Sequence, residues 1–433
     1  MSYIKKKILN LSKVEEKIMR KVFMLFILIL LPTFVLANWQ ITGKVTGADG
    51  KPSVLAHVHL INFQGNFQQP FQTVKAGNDG QFELQLAEPG LYRLFITAVS
   101  HNYSSIPLII DSETKNIKVD VKLASLDYRD QFDAVQITGD WNNFGFNNAD
   151  DMQKQADGTF TYEREVSADT ITYQLIGITQ ENRSVNGTQS DYLLYDGGGD
   201  YRSVLKVKSG TVKIVFDPGK LIKATEADLA QVKFDQQNSS MQKLWDMDQE
   251  INKQRSGFQA AVMEYRAANK DLRDFRYDWS KLVALLTDKM DNEQQLSVRQ
   301  FAGIQLGQLI PYRAEVDSIT QSRILNLLPA TSPMWAASPQ LAMFLKQDKD
   351  QQHQFIKSLS EDNPDRVVRA VALSYLTRLA QQKGDNDAVK SYYEKLKSEY
   401  GDVREIQFEL NQLDPDKRIM VGKPVPDFEV TLL

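Results

Sequence analysis

The hydrophobic pattern changes period at Pro218, and this confines the chain to a β part followed by an α part. Before Pro218, short apolar runs are broken by Asp49-Gly50, Asp79-Gly80, Pro89-Gly90 and Asp157-Gly158, as in half-buried strands joined by tight turns. Beyond it, apolar residues recur by threes and fours with few glycines before Gly401, as in amphipathic helices. At 433 residues the chain exceeds one ordinary core of roughly 100–200 residues. The expected fold is therefore multidomain, β then α: two antiparallel β-sandwiches followed by an irregular all-α helical domain.

Strands are expected at 40–45, 56–62, 81–86, 92–98 and 117–123, spaced evenly enough for an antiparallel sandwich over residues 38–124. Gly43, Val45, Gly50, Pro52, Ala56, Val58, the Asp79-Gly80 turn with Phe82, and Pro89-Gly90 with Tyr92 carry a resemblance to the carboxypeptidase regulatory-like family, a small transthyretin-like sandwich. The resemblance implies a stabilising or spacing module.

A second set of strands, at 134–138, 160–166, 170–177, 203–207 and 211–215, defines a module over 130–218. Its opening, Gly139-Asp140-Trp141-Asn142-Asn143-Phe144, together with Met152, Asp157-Gly158, Phe160, Tyr173 and Ser203 to Val207, resembles the glycogen-binding module of AMP-activated kinases and branching enzymes. That resemblance implies an immunoglobulin-like sandwich and, through Trp141, Asn143, Phe144 and Gln174, contacts to an α-glucan. The chain departs from the family where Phe144 replaces Trp and Gln174 replaces Lys, so a structural module is the primary expectation and glucan binding the alternative. The glycine-rich loop from Asp196 to Asp200 reads as a connection, since no helix N-terminus follows to hold a phosphate.

From 225 to 413 the chain is expected to be helical, with one long helix within 226–275 and shorter ones at 279–290, 293–310, 317–328, 338–345, 351–359, 364–382 and 385–400. Gly384 and Gly401 read as stops, and Asp362 or Asn363 as a cap. The pairing of the last two long helices resembles a tetratricopeptide or HEAT-like hairpin, though no fixed repeat period is evident.

The two ends carry addresses of different kinds. Met19-Arg20-Lys21, the apolar run Val22 to Leu36 and the small residues Val35 and Ala37 form a secretory signal pattern over 1–37, with Met19 an alternative start. The run is broken by Pro32 and falls short of the roughly 20 residues that span a bilayer, so the mature chain is expected in the periplasm or outside the cell, not as an integral membrane protein. Over 419–433, Val421-Gly422-Lys423-Pro424-Val425-Pro426-Asp427-Phe428 resembles the entry to peroxiredoxin and TlpA-type thioredoxin domains, with Gly422, Pro424, Pro426, Asp427 and Phe428 as the matching positions. The resemblance implies the truncated start of a thioredoxin-like domain, whose redox dithiol would lie beyond Leu433.

Chemistry within the chain is sparse. There is no cysteine, which excludes thiolate catalysis and thiolate metal sites, and no Ser-His-Asp order or Gly-x-Ser-x-Gly elbow. His57 and His59 stand at strand spacing and so face one side of a sheet, but without a third metal ligand nearby they read as an ordinary strand surface. With 51 Lys plus Arg against 55 Asp plus Glu, no basic field calls for nucleic acid. No catalytic residue, metal or cofactor is assigned. The expected role is the exported, non-catalytic scaffold portion of a thioredoxin-like thiol-disulfide oxidoreductase whose redox domain lies outside this sequence, meeting other extracytoplasmic proteins, with polysaccharide (α-glucan) binding by residues 130–218 as the alternative.

Overall fold

The computed structural model describes residues 39–414, apart from 54, 66–69, 87, 112, 113, 115, 208, 209 and 224–228. The expected signal segment and the thioredoxin-like lead-in (Gly422, Pro424, Pro426, Asp427, Phe428) lie outside the described residues.

Seven strands open the chain: β1 (Trp39–Thr46), β2 (His57–Asn62), β3 (Gln72–Lys75), β4 (Gln81–Leu86), β5 (Gly90–Thr97), β6 (Ser104–Ile110) and β7 (Asn116–Lys122). They form two facing sheets, one of β3-β2-β5-β6 and one in which β7-β1-β4 is extended by a later strand. Strict alternation makes β4 a strand: Phe82, Leu84 and Leu86 turn inward while Gln81, Glu83 and Gln85 face water. The Asp-Gly turns form as read. Gly50, Gly80 and Gly158 have φ of 76°, 80° and 85°, and each preceding aspartate accepts the backbone N–H two residues on. One pairing departs from the antiparallel expectation, because β1 runs parallel to β7.

The second sandwich contains β8 (Gln136–Gly139), β9 (Asp150–Asp151), β10 (Gln153–Lys154), β11 (Phe160–Val166), β12 (Thr170–Ile176), β13 (Tyr192–Tyr195), β14 (Tyr201–Lys206) and β15 (Gly210–Phe216). Its sheets are β13-β14-β12-β8-β9 and β10-β11-β15, all antiparallel, around a core of its own that includes Ile137, Phe160, Tyr173 and Phe216.

The expected helix over 226–275 is corrected at its start. Gln231–Phe234 is a strand, β16, paired antiparallel with β7, and the long helix α1 runs Ser239–Ala267. Residues 231–234 also alternate, and the greater gain comes from sending Val232 and Phe234 together into the first sandwich. The helices then follow as α2 (Ser280–Asn292), α3 (Leu296–Gly307), α4 (Ser318–Leu327), α5 (Lys349–Asp362), α6 (Arg366–Lys383), α7 (Asn386–Tyr400) and α8 (Gln407–Leu413). The helix expected at 338–345 is instead a single 3-10 turn, Leu341–Met343, with another, Pro333–Ala337, just before it. The N-cap of α6 is Asp365, through the Val368 N–H, not Asp362 or Asn363; Asn363, two residues earlier, is the C-cap of α5 and accepts the Asp365 N–H. Gly384 ends α6 at φ 73°.

A device the sequence reading missed recurs in two hairpins. Val298-Arg299 in α3 and Val368-Arg369 in α6 each send the arginine back to a carbonyl at the end of the preceding helix: Arg299 Nε reaches Met290 O at 2.9 Å, and Arg369 Nη1 reaches O of Asn363, the C-cap of α5, at 2.5 Å. Free carbonyls at a helix C-terminus favour a cation there.

The outer face of β2 and β5 joins the parts. At one end Arg93 meets α1, and Phe63 packs edge-on against Phe301 of α3. At the other end His57, His59 and Thr97 meet the second sandwich. One apolar core therefore runs from Ile41 and Val119 through Trp245 and Phe301 to Trp335, uniting the first sandwich with the helices.

Candidate functional site

The glucan-type residues are dispersed by their environments. Trp141 is half-buried, stacked on Tyr162 with centroids 5.6 Å apart, and its Nε1 donates to Asp150 Oδ2 at 2.9 Å. Arg164 lies over the same indole at 5.2 Å. Asn143 is exposed in the left-handed region at φ 53° and is followed by Phe144 at φ 55°. The Phe144 ring is covered by the Arg202 guanidinium at 3.8 Å. Gln174 is only 3% exposed and donates to Tyr201 O at 3.2 Å, so its amide serves the sheet, not the surface. A sugar-stacking platform needs a bare aromatic face with polar groups beside it, and only the Trp141 edge of this set approaches one.

The loop from Asp196 to Asp200 closes on itself. Asp196 Oδ1 accepts from Gly198 N at 2.6 Å and from Asp200 N at 3.1 Å, while Arg183 pairs with Asp200. This makes it the turn between β13 and β14.

His57 and His59 face the same side, as the spacing requires, and that side is filled by tyrosines. His57 stacks on Tyr195 at 4.2 Å, and Tyr195 Oη stands 3.1 Å from His59 Nε2. Tyr201 Oη donates to Leu55 O at 2.6 Å, which leaves its lone pair for His57 Nδ1 at 3.1 Å. Burial lowers both imidazoles from their ordinary value, His59 to about 4, with the neighbouring His57 adding to the effect on His59. The pair is thus neutral and structural at neutral pH. Among the described residues no group of three His, Asp or Glu side chains could hold a metal ion.

A broad concavity lies elsewhere, where the end of the first sandwich meets the helices. This cleft of about 700 Å³ runs between the loop after β2 (Asn62 to Gly65), the turns at Ala337 and Leu341, and the starts of the last hairpins at Asp365 and Glu405. A second groove of about 500 Å³ continues it past Tyr92 and Arg366, sharing Asn62, Asp365 and Val367. Gln64 and Gln308 both donate to Ala337 O and so tie sandwich to helices at the cleft wall. Arg255 of α1 lines the wall, donating to Gln308 Oε1 at 2.7 Å and Gln305 Oε1 at 3.2 Å. Burial lowers its pKa, offset in part by Asp248 and Tyr312. Tyr312 and Phe344 leave much of their rings in solvent, at 53% and 60% exposed. Burial raises the Asp365 carboxyl against the pull of its cap bonds to Val368 and Val367. None of these residues was singled out from sequence for a site. They come from six separate segments, and no local spacing announces them.

The fold defines a class: two β-sandwiches followed by helical hairpins, with the first sandwich and the helices on one core. No known family and no curated protein matches the chain. Among solved structures, catechol 1,2-dioxygenase from Acinetobacter sp. ADP1 aligns at 13% identity over 20% of this chain and 52% of its own, with a TM-score of 0.15. The alignment thus spans about half the length of that enzyme. A Bacteroides uniformis protein described as carbohydrate binding aligns at 10% identity over 42% and 80%, TM-score 0.17. A DUF3823 family protein of the same organism aligns at 13% over 46% and 89%, TM-score 0.16. At such scores these likenesses carry nothing about what this chain does.

Proposed function

We propose that this chain is an exported scaffold that binds other proteins outside the cytoplasm, using the cleft between its first sandwich and its helices. The observation that carries the reading is the cleft's construction. Its walls come from parts joined by one core, by β16 in the sandwich sheet and by the amide bonds to Ala337, so the concavity is pre-formed and spans two structural units. Export is supported by the run Val22 to Leu36, and service to a thiol-disulfide oxidoreductase by the likeness of Gly422 to Phe428 to a thioredoxin-domain entry.

The test is a photo-crosslinking amino acid placed at Phe344, in the cleft, and at Glu83, on the outer face of β4. Exposed to an extracytoplasmic extract of the native host, position 344 should give discrete protein adducts that position 83 lacks. Adducts from neither position, or the same ones from both, would sink the proposal.

The second reading, α-glucan capture by the second sandwich, is favoured by the half-exposed Trp141 stacked on Tyr162 and opposed by the covered Phe144 and the buried Gln174. Retention of the chain on an amylose column, lost in Trp141→Ala, would establish it.

A further inference from the structure

We infer that Arg255 anchors a carboxylate of an extended peptide laid along the cleft, which rests on the protein-binding reading and gives the ligand its chemistry. The guanidinium is half-buried, and its hydrogen-bond partners are the neutral amide oxygens of Gln305 and Gln308. Asp248 offsets part of its burial cost through space but forms no ion pair with it, because both Asp248 oxygens are held by Arg93 and one also accepts from Asn252. Among the described residues no ion pair includes Arg255, whereas the other interior arginine at this junction, Arg93, has one. A desolvated cation without a counter-ion is costly, and an incoming carboxylate relieves that cost.

Gln308 fixes the direction of the guanidinium. Its Nε2 is committed to Ala337 O at 2.6 Å, so its Oε1 must face Arg255. Tyr312 and Phe344, both largely exposed on the cleft wall, offer apolar contact to side chains flanking the acid.

The far wall decides between peptide and acidic sugar. Asp365 and Glu405 line the same cleft. A polyuronate carries negative charge at every ring and would be repelled there, whereas a peptide can place its acid at Arg255 and a neutral or basic residue opposite the carboxylates.

The experiment uses the full chain, immobilised, and three random hexapeptide pools that differ in one fixed residue, Asp, Asn or Lys. Wild type should retain the Asp pool about ten-fold better, as expected for a charge-assisted contact. Arg255→Gln should abolish the preference. Arg255→Glu should reverse it toward a pool with fixed Lys, a gain that misfolding cannot produce. Equal retention of the pools by wild type, survival of the Asp preference in Arg255→Gln, or displacement of the Asp pool by tri-galacturonic acid would each overturn the inference. Should the pools fail while the adducts from position 344 persist, the scaffold reading stands and only the carboxylate anchor falls. Loss of both removes the two together.

Discussion

Arg93 on β5 holds Asp248 of α1 with both prongs of its guanidinium, Nη2 to Oδ1 at 2.9 Å and Nη1 to Oδ2 at 3.3 Å. The Asp248 side chain is 3% exposed and the Arg93 side chain 17%, and Phe63 lies beneath the guanidinium at 4.2 Å. The pair thus joins the first sandwich to the longest helix, next to the loop that forms one wall of the cleft.

Removing one partner leaves the other charge buried and unpaired. Asp248→Ala is expected to lower unfolding stability by about 3–5 kcal/mol, measured by urea titration. Asp248→Asn keeps the shape and should lose less. If Asp248→Ala unfolds at the wild-type midpoint, the junction is not held by this pair.

His59 makes the contact between the two sandwiches sensitive to acid. Its folded-state pKa, about 4, lies below the ordinary value of 6.5, so between these limits the unfolded chain takes up a proton that the folded one refuses. Stability should be level above pH 6.5 and fall as pH drops from 6.5 toward 4. Thermal melts of wild type and His59→Gln over pH 4–8 check this: the variant should show a shallower acid slope, and parallel slopes would refute the assignment.

Gly43 lies where β1 passes β7 too closely for a side chain. A β-carbon there would overlap the Val119 carbonyl oxygen and stand 3.0 Å from the Phe82 ring. Because the obstacle is backbone, Gly43→Ala should destabilise by about 3 kcal/mol, at the upper end for overpacking. Calorimetry would show it as a lowered melting temperature; an unchanged one would mean that the strands can separate at no cost.

Asn363 connects two hairpins. It is 1% exposed, its Nδ2 donates to Ala330 O at 2.5 Å and Ser332 O at 3.0 Å, and its Oδ1 accepts the Asp365 N–H at 2.9 Å. Asn363→Ala leaves one buried and two part-buried backbone groups without this partner, for a loss of about 2–3 kcal/mol in chemical denaturation. Hydrogen exchange at the start of α6 should quicken with it. Asn363→Asp keeps the acceptor and so should preserve the bond to the Asp365 N–H.

Much of the fold was legible locally because its causes are local. Alternation in Gln81 to Leu86 and Phe160 to Val166 can bury one face only as a strand, and both elements occupy the expected residues. Asp-Gly turns need nothing beyond their own backbone. Strands β3, β6 and β13 escaped notice: β3 and β13 because four residues give too little periodicity, β6 because Ile106 to Ile110 is buried on both faces and does not alternate. Gln231–Phe234 was misread for a related reason: its spacing served helix and strand alike, and the vacant edge of β7 decided.

Sequence by itself determined the order of β and α parts, the Asp-Gly turns and most of the helices beyond residue 279, since these follow from side-chain period and from what glycine, proline and aspartate allow over a few bonds. Only the tertiary structure decided which polar groups would be spent and which left open. Gln174 and the His57–His59 pair, suggestive in one dimension, are consumed by neighbours from other strands. Arg255, unremarked in one dimension, keeps its charge facing a cleft because Asp248 is already bound to Arg93. Desolvation and pairing depend on residues 27 to 155 positions apart, and such neighbours are set by the packed chain alone.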